Sequence, residues 1–333
     1  MKKTLLLACL TLFSATQAQA LTKATMCVFD PIGKSGPAAQ IMRDFKLDAV
    51  SWGVEIQDEF FDDEWKAIEK FKSGGCDVVN MLDFRASEFN KFTGSVRAIG
   101  ALRSYEELGV VIKSLSSDGA AKVMREGDVE VIAIMPAGAI FVFSHDRTLI
   151  QPDQFKGKTM ASVEKVAEND YLAAKHGIIS KPMGIFDTFQ AFNKGQTDLV
   201  AGPAVVYEPF ELNKGVGANG GVYKDPITFI TMQTLARWNK LPEGFGQKSR
   251  SRAIEKYTSY VKLVKDPEKT IPENLWIKVP QDVYDYWDNS FRESRAELGK
   301  QGIYDPRTLK MMKKVRCSTD KTRKECTDGG PEG

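Results

Sequence analysis

Phe71-Lys72-Ser73-Gly74-Gly75-Cys76-Asp77-Val78-Val79 and Phe192-Asn193-Lys194-Gly195-Gln196-Thr197-Asp198-Leu199-Val200 share one pattern: Phe-x-x-Gly-x-x-Asp, then two apolar residues. Each copy reads as the last turn of a helix burying its Phe, a Gly in the left-handed position that stops the helix, and an Asp opening a strand. The apolar residues that follow suit a parallel strand covered on both faces. Two copies of one helix-to-strand unit predict two similar α/β lobes. Two lobes imply a cleft, and clefts hold ligands.

Upstream of the first copy, residues 25–29 read as a strand, 30–37 as a turn-rich loop, 38–47 as a helix and 50–56 as a strand. Phe61, Trp65, Ile68 and Phe71 fall at helical spacing, which predicts a helix over 61–72. Further strands are expected at 76–82, 109–113, 129–135, 159–163 and 198–201, and helices at 166–175 and 186–194. The glycines of 215–221 predict a flexible loop, and Asp305-Pro306 a helix start with Asp as N-cap and Pro in the first turn. The tail 328–333 is expected to be disordered. Strands alternating with helices give an α/β class with mostly parallel sheets. Ligands in such folds bind beyond the carboxyl ends of strands, here the loops 30–36, 83–85, 161–164 and 202–207.

The N-terminus reads as a secretory signal over 1–20: Lys2 and Lys3, an apolar run over 5–13, and Ala18-Gln19-Ala20 as the cleavage site, with cleavage after Ala20. The run is too short to span a bilayer, and Cys9 comes too early for a lipoprotein signal. No later stretch is long and apolar enough to cross a membrane, so the reading is an exported, periplasmic chain that does not itself span the membrane. Without Lys2 and Lys3, the 46 basic residues fall to the number of the 44 acidic ones. A neutral chain lacks the basic field that nucleic acid would require. Loss of Cys9 leaves Cys27, Cys76, Cys317 and Cys326. An even number in an oxidising compartment reads as two disulfides. Proximity pairs Cys317 with Cys326, which leaves Cys27 with Cys76.

The chemical inventory is poor. Gly33-Lys34-Ser35 lacks the earlier Gly of a P-loop, since that position is Val28. His145 and His176 are the only histidines, and no G-x-S-x-G elbow accompanies them. Asp58, Glu59, Asp62, Asp63 and Glu64 read as helix caps and solvated surface. Phe71, Phe192, Trp65 and Trp287 read as core, while Phe84, Phe186, Tyr207 and Trp238 fall in or near the cleft loops. Neither an enzyme, a metal site nor a cofactor is expected.

The run from Val129 through Phe155-Lys156-Gly157-Lys158 resembles the segment of TRAP-type (DctP-like) periplasmic solute-binding proteins that enters the second lobe. Thr197-Asp198-Leu199-Val200-Ala201-Gly202-Pro203 is similar to that family's later strand and turn. A nearer likeness is to exported AdeT-like proteins grouped with RND-type efflux components and linked to aminoglycoside resistance, although a pump of that class needs many membrane spans. The resemblance implies a two-lobed periplasmic-binding-protein fold, type II-like, with a central cleft. It implies lobe I over 21–140 plus about 226–265, lobe II over 141–225 plus about 266–316, and a C-terminal tail with a disulfide loop over 317–333. It also implies capture of a small-molecule solute by hinge closure and delivery to an inner-membrane transporter. The alternative role is a periplasmic adaptor in an efflux or envelope complex. The arginines with which the family anchors a ligand carboxylate are replaced here by about Ile140 and Ala161, and its Asn before Pro by Gly202. A neutral or cationic solute is therefore expected, an aminoglycoside among the candidates. The expected ligand residues are Asp30, Lys34, Ser35, Asp83, Phe84, Arg85, Ala161, Phe186, Gly202, Tyr207 and Trp238, with Glu208 as a further source of negative charge.

Overall fold

The computed structural model describes residues 20–327. The expected signal segment, apart from Ala20, and the 328–333 tail lie outside the described residues. The strands are β1 (Thr22–Phe29), β2 (Val54–Phe61), β3 (Val78–Leu82), β4 (Arg125–Glu126), β5 (Val129–Ser144), β6 (Thr159–Val163), β7 (Ile179–Met183), β8 (Leu199–Pro203), β9 (Gly221–Tyr223), β10 (Thr228–Arg237) and β11 (Trp276–Ile277). The main path through the sheet runs β2-β1-β3-β10-β5-β8-β6-β7. Each end is a three-stranded parallel unit, β2-β1-β3 and β7-β6-β8. One antiparallel strand flanks each unit: β10 beside β3, and β5 beside β8.

The two copies of the pattern occupy equivalent places, β3 and β8. Gly74 and Gly195 both adopt positive φ, 80° and 68°, and their amides bond to the Phe71 and Phe192 carbonyls. Glycine suits this left-handed position, where other residues are strained. Asp77 Oδ2 accepts from Thr25 N and Oγ1 at 2.8 and 2.9 Å, so the Asp opening β3 clamps β1. Asp198 Oδ2 clamps Thr159 of β6 in the same way, at 2.7 Å from each donor. Phe71 and Phe192 are fully buried.

Several expectations are corrected. The sheet is mixed, with five parallel and five antiparallel pairings, because the strands connecting the lobes return against their neighbours. Both copies also belong to one continuous sheet, since β5 pairs β10 from Val129 and reaches β8 through Ile140–Ser144. β5 passes through Pro136 and Gly138, where the sequence suggested an end. Gly138 has φ 137°, and a Cβ there would sit 2.6 Å from the Pro203 Cβ, so the close passage of β5 and β8 excludes a side chain.

Residues 109–113 are helical, inside Tyr105–Leu115, because Ser104 caps the helix and Leu108, Val111, Ile112 and Leu115 bury one face. Val50 lies in the last turn of the helix Pro37–Ser51, and Phe61 ends β2. The stretch 215–221 is largely ordered, between the helix Leu212–Val216 and β9.

The helix Gln281–Lys300 touches both lobes. Ser290 and Glu293 meet His176 and Lys175, while Arg295 and Asp288 meet Ile99 and Arg103. The helix Pro306–Thr319, capped by Asp305 as expected, docks on Phe92, Ser95 and Ala101. Both disulfides are present: Cys27–Cys76 ties β1 to the turn before β3, and Cys317–Cys326 closes the C-terminal loop, with Cα separations of 5.9 and 5.6 Å.

Candidate functional site

A cavity of about 280 Å³ lies between the two parallel units. Met160, Ala161 and Val163 of β6 and Leu199, Ala201 and Gly202 of β8 form one wall, extended by Leu172, Ile185 and Phe189. Leu82, Phe84, Ile99 and Leu102 form the facing wall, and Trp287 and Phe291 of the helix Gln281–Lys300 close one side. Most of this lining is hydrocarbon or ring. Gly202 is required by packing, because a Cβ there would meet Phe189 Cε1 at 2.9 Å and Val206 Cγ2 at 3.3 Å.

Four of the charged groups in the cavity wall form two ion pairs, while Asp225 also lines the wall, and its burial pushes its pKa up. Arg97 ends the turn Ser95–Arg97 after the short helix Lys91–Gly94, which Asn90 caps. Thr228 Oγ1 donates to the Arg97 carbonyl at 2.5 Å and fixes that turn. Glu168 lies in the first turn of the helix Ala167–His176, where the helix dipole favours negative charge. Arg97 Nε is 2.5 Å from Glu168 Oε1, and Nη2 is 3.3 Å from Oε2. Arg97 Nη1 donates to the Gly94 carbonyl. Burial works against the Arg97 charge, but Glu168 and nearby Asp83 more than offset it and hold its pKa above the usual value. The second pair, Arg103 and Asp288 at 2.5 Å, is more exposed. His176 also lines the cavity, with Nε2 2.9 Å from Ser290 Oγ and its ring against Trp287. Burial, helped by Lys175, pushes its pKa down.

Of the expected ligand residues, Phe84, Ala161 and Gly202 line this cavity. The others are held elsewhere. Asp30 is buried and accepts from the Ile32 and Ala39 amides, fastening the start of the helix Pro37–Ser51. Lys34 and Ser35 are exposed, and Lys34 lies 5.7 Å from the Phe60 ring centre. Asp83 is fully buried and accepts from Thr231 N and Oγ1 at 2.6 and 3.0 Å; burial pushes its pKa up to about 7. Arg85 lies between Glu64 and the Trp65 ring, and its Nη1 donates to the Glu164 carbonyl at 3.1 Å. Phe186 packs on Phe210, and Tyr207 stacks on Phe143. Trp238 is 41% exposed beside Arg125 and donates to the Gly127 carbonyl, outside the cavity wall; Glu208 is exposed.

Glu64 departs from the surface reading. It is buried, accepts from the Leu82 amide at 2.6 Å, and burial pushes its pKa up to about 8. Trp287, read as core, is instead part of the cavity wall.

Sequence reasoning missed Arg97 and Glu168. The available signal was Arg97 alone among small and apolar neighbours over 93–102, which implies a buried charge and hence a partner. Nothing local identifies that partner, 71 residues away.

The sequence matches the family model described as solute-binding protein AdeT 1/2 over residues 50–329. The chain belongs to this family. It is 33% identical over 299 residues to the probable solute-binding protein AdeT1 of Acinetobacter baumannii, covering 90% of this chain and 98% of that protein. It is 19% identical to the probable solute-binding protein AdeT2 of the same organism, covering 70% of this chain and 98% of that one. Among solved structures it is similar to a TRAP periplasmic solute-binding protein from Desulfovibrio salexigens with bound orotic acid. That match has a TM-score of 0.72 and 12% identity, covering 89% of this chain and 99% of that one. A TRAP protein from Ralstonia eutropha H16 with bound (S)-2-acetolactate matches with a TM-score of 0.70 and 13% identity, covering 89% and 99%. At these identities the structures speak for the fold alone: the AdeT 1/2 chain has the two-lobed fold of periplasmic binding proteins.

Proposed function

We propose that this solute-binding protein captures an uncharged or singly cationic, largely apolar small molecule in the cavity between its lobes and passes it to an inner-membrane transporter. The observation that carries the reading is the interlobe cavity itself, walled by apolar side chains from both parallel units. A ligand touching both walls binds the closed form better than the open one and so selects it. Phe84, Ala161 and Gly202 are the contacts we retain from the sequence. An adaptor would be served by a filled cleft, so the cavity favours the solute binder.

Export to the periplasm, with cleavage after Ala20, completes the proposal. Lobe I comprises 21–140 and about 226–265, lobe II 141–225 and the segment from about 266 to the long helix. The helix from Pro306 joins lobe I, and the tail 317–333 follows it. The wall chemistry argues against an aminoglycoside, because a polycation needs several unpaired carboxylates: Glu168 and Asp288 are already paired, which leaves the single carboxylate of Asp225 in the described wall.

Native mass spectrometry of the purified protein tests for a retained solute. A thermal-shift screen tests its class, since a ligand at one hundred times its Kd adds about 2.7 kcal/mol to stability. Apolar neutral or monocationic compounds should raise the Tm. Shifts given only by small mono- or dicarboxylates, or by aminoglycosides, would contradict the assignment.

A further inference from the structure

We infer that Glu168 is the specificity determinant of the cavity: it occupies Arg97 as a built-in carboxylate, so that carboxylate solutes are refused. This deepens the solute-binding reading and rests on it. Arg97 is a cleft cation of the kind that recognises carboxylates by a planar, two-pronged contact. Here that contact is already made, by Nε and Nη2 to the two oxygens of Glu168, while Nη1 serves the Gly94 carbonyl. Both side chains line the cavity, and both are less than a tenth exposed.

A carboxylate entering the cavity would have to displace Glu168. It would then leave one buried carboxylate without its partner, beside Asp83, which already feels the Glu168 charge. An uncharged solute meets no such obstacle, because the apolar walls are available while the ion pair stays closed. Glu168 comes from the helix Ala167–His176 beside β6 and Arg97 from a turn beside β10. The pair therefore spans the cleft, and the cavity carries its own counter-charge into the closed state.

The test uses probes with one apolar body and three end groups: phenylacetamide, phenylacetate and phenethylamine. Calorimetric titrations would be run on the wild type, Glu168→Gln, Arg97→Gln and the double variant, each checked for a cooperative melt. Glu168→Gln removes the carboxylate that occupies the Arg97 fork and should let it bind phenylacetate at least 10-fold more tightly than the wild type, about 1.4 kcal/mol. Arg97→Gln should gain for phenethylamine instead, which keeps the question open to measurement if either single variant folds poorly. Both gains should vanish in the double variant. Glu168→Gln folded and no better for the acid, or a gain that survives in the double variant, overturns the assignment whatever the amide does. Phenylacetamide binding to the wild type without these gains leaves the cavity reading standing and removes only the role of Glu168. Absence of all three probes from every folded variant overturns both.

Discussion

At the scale of single residues, the cavity makes a strong demand at Ala161. Its methyl group is buried in β6 and faces the space between the lobes. Ala161→Leu should fill that space, abolish solute binding and cost about 1–3 kcal/mol through overpacking, read by calorimetry and by the denaturant midpoint. Glu64 makes a different demand. Burial raises its pKa from 4.5 to about 8, and that of Asp83 from 3.8 to about 7. The folded chain therefore keeps protons that the unfolded chain releases. This contribution to stability is fully present below about pH 4 and is lost as pH rises toward 7 and 8. For one such carboxyl it falls by about 1.4 kcal/mol per pH unit inside the window. His176, with a lowered pKa, acts in the opposite sense near neutrality, so the difference between proteins is the cleaner measure. The gap in unfolding free energy between wild type and Glu64→Gln should widen against the wild type from pH 5 to pH 8.5; a constant gap would count against a protonated Glu64. Ala161 was placed at the site from the sequence, but the burial of Glu64 was not legible beforehand. Ala161 was singled out for the arginine missing there, and Glu64 sat in an acidic run whose other members are caps or surface. Asp63, for example, caps the helix Glu64–Lys72. Burial of one acid among several is decided by β3 packing beside it, which no local pattern records.

At the scale of elements, the recurring helix-to-strand unit was legible because its signals are local: a Phe at the last helical turn, a Gly that tolerates positive φ, and an Asp that clamps the neighbouring strand. The helix start at Asp305-Pro306 was legible for the same reason. The run Gly109-Val110-Val111-Ile112 misled because β-branched residues suit strands. The capping signal Ser104-Tyr105-Glu106-Glu107 overrides that preference: Ser104 Oγ accepts from the Glu107 amide, and Glu107 turns back to the Arg103 amide at 2.9 Å. Strand direction was misjudged because the order of elements does not reveal that β10 inserts between β3 and β5. The two disulfides join elements of different reach, with sequence separations of 49 and 9 residues. On loop-closure entropy, removing Cys27–Cys76 should cost about 4 kcal/mol and removing Cys317–Cys326 about 2.6 kcal/mol. Paired Cys→Ala variants compared by denaturant midpoint check this order; equal losses would contradict it.

At the scale of the whole molecule, a strap crosses the cleft beside the cavity. Lys165, with φ 58°, places its ammonium 4.3 Å from the Trp65 ring centre, and Arg85 packs against the same indole while donating to the Glu164 carbonyl. A cation over an indole contributes about 0.5–2 kcal/mol. Trp65→Ala should therefore shift the ligand-free population toward open forms, seen as a larger radius of gyration by small-angle scattering; an unchanged radius would show that the strap does not hold the lobes together. The helix Gln281–Lys300 also makes contacts on both sides of the cavity. Twenty residues make a rod about 30 Å long, secured by Lys175 and His176 on one side and by Ile99 and Arg103 on the other. In mechanical terms it is a tie-bar across the jaws. A tie-bar sets an end stop, because the jaws cannot separate beyond the slack in its fastenings. Wide opening then requires one anchorage to let go, and the partly exposed Arg103–Asp288 fastening is the one that water and salt loosen most readily. Ionic strength thereby becomes a control on how far the mouth gapes, and on how quickly a solute gets in or out.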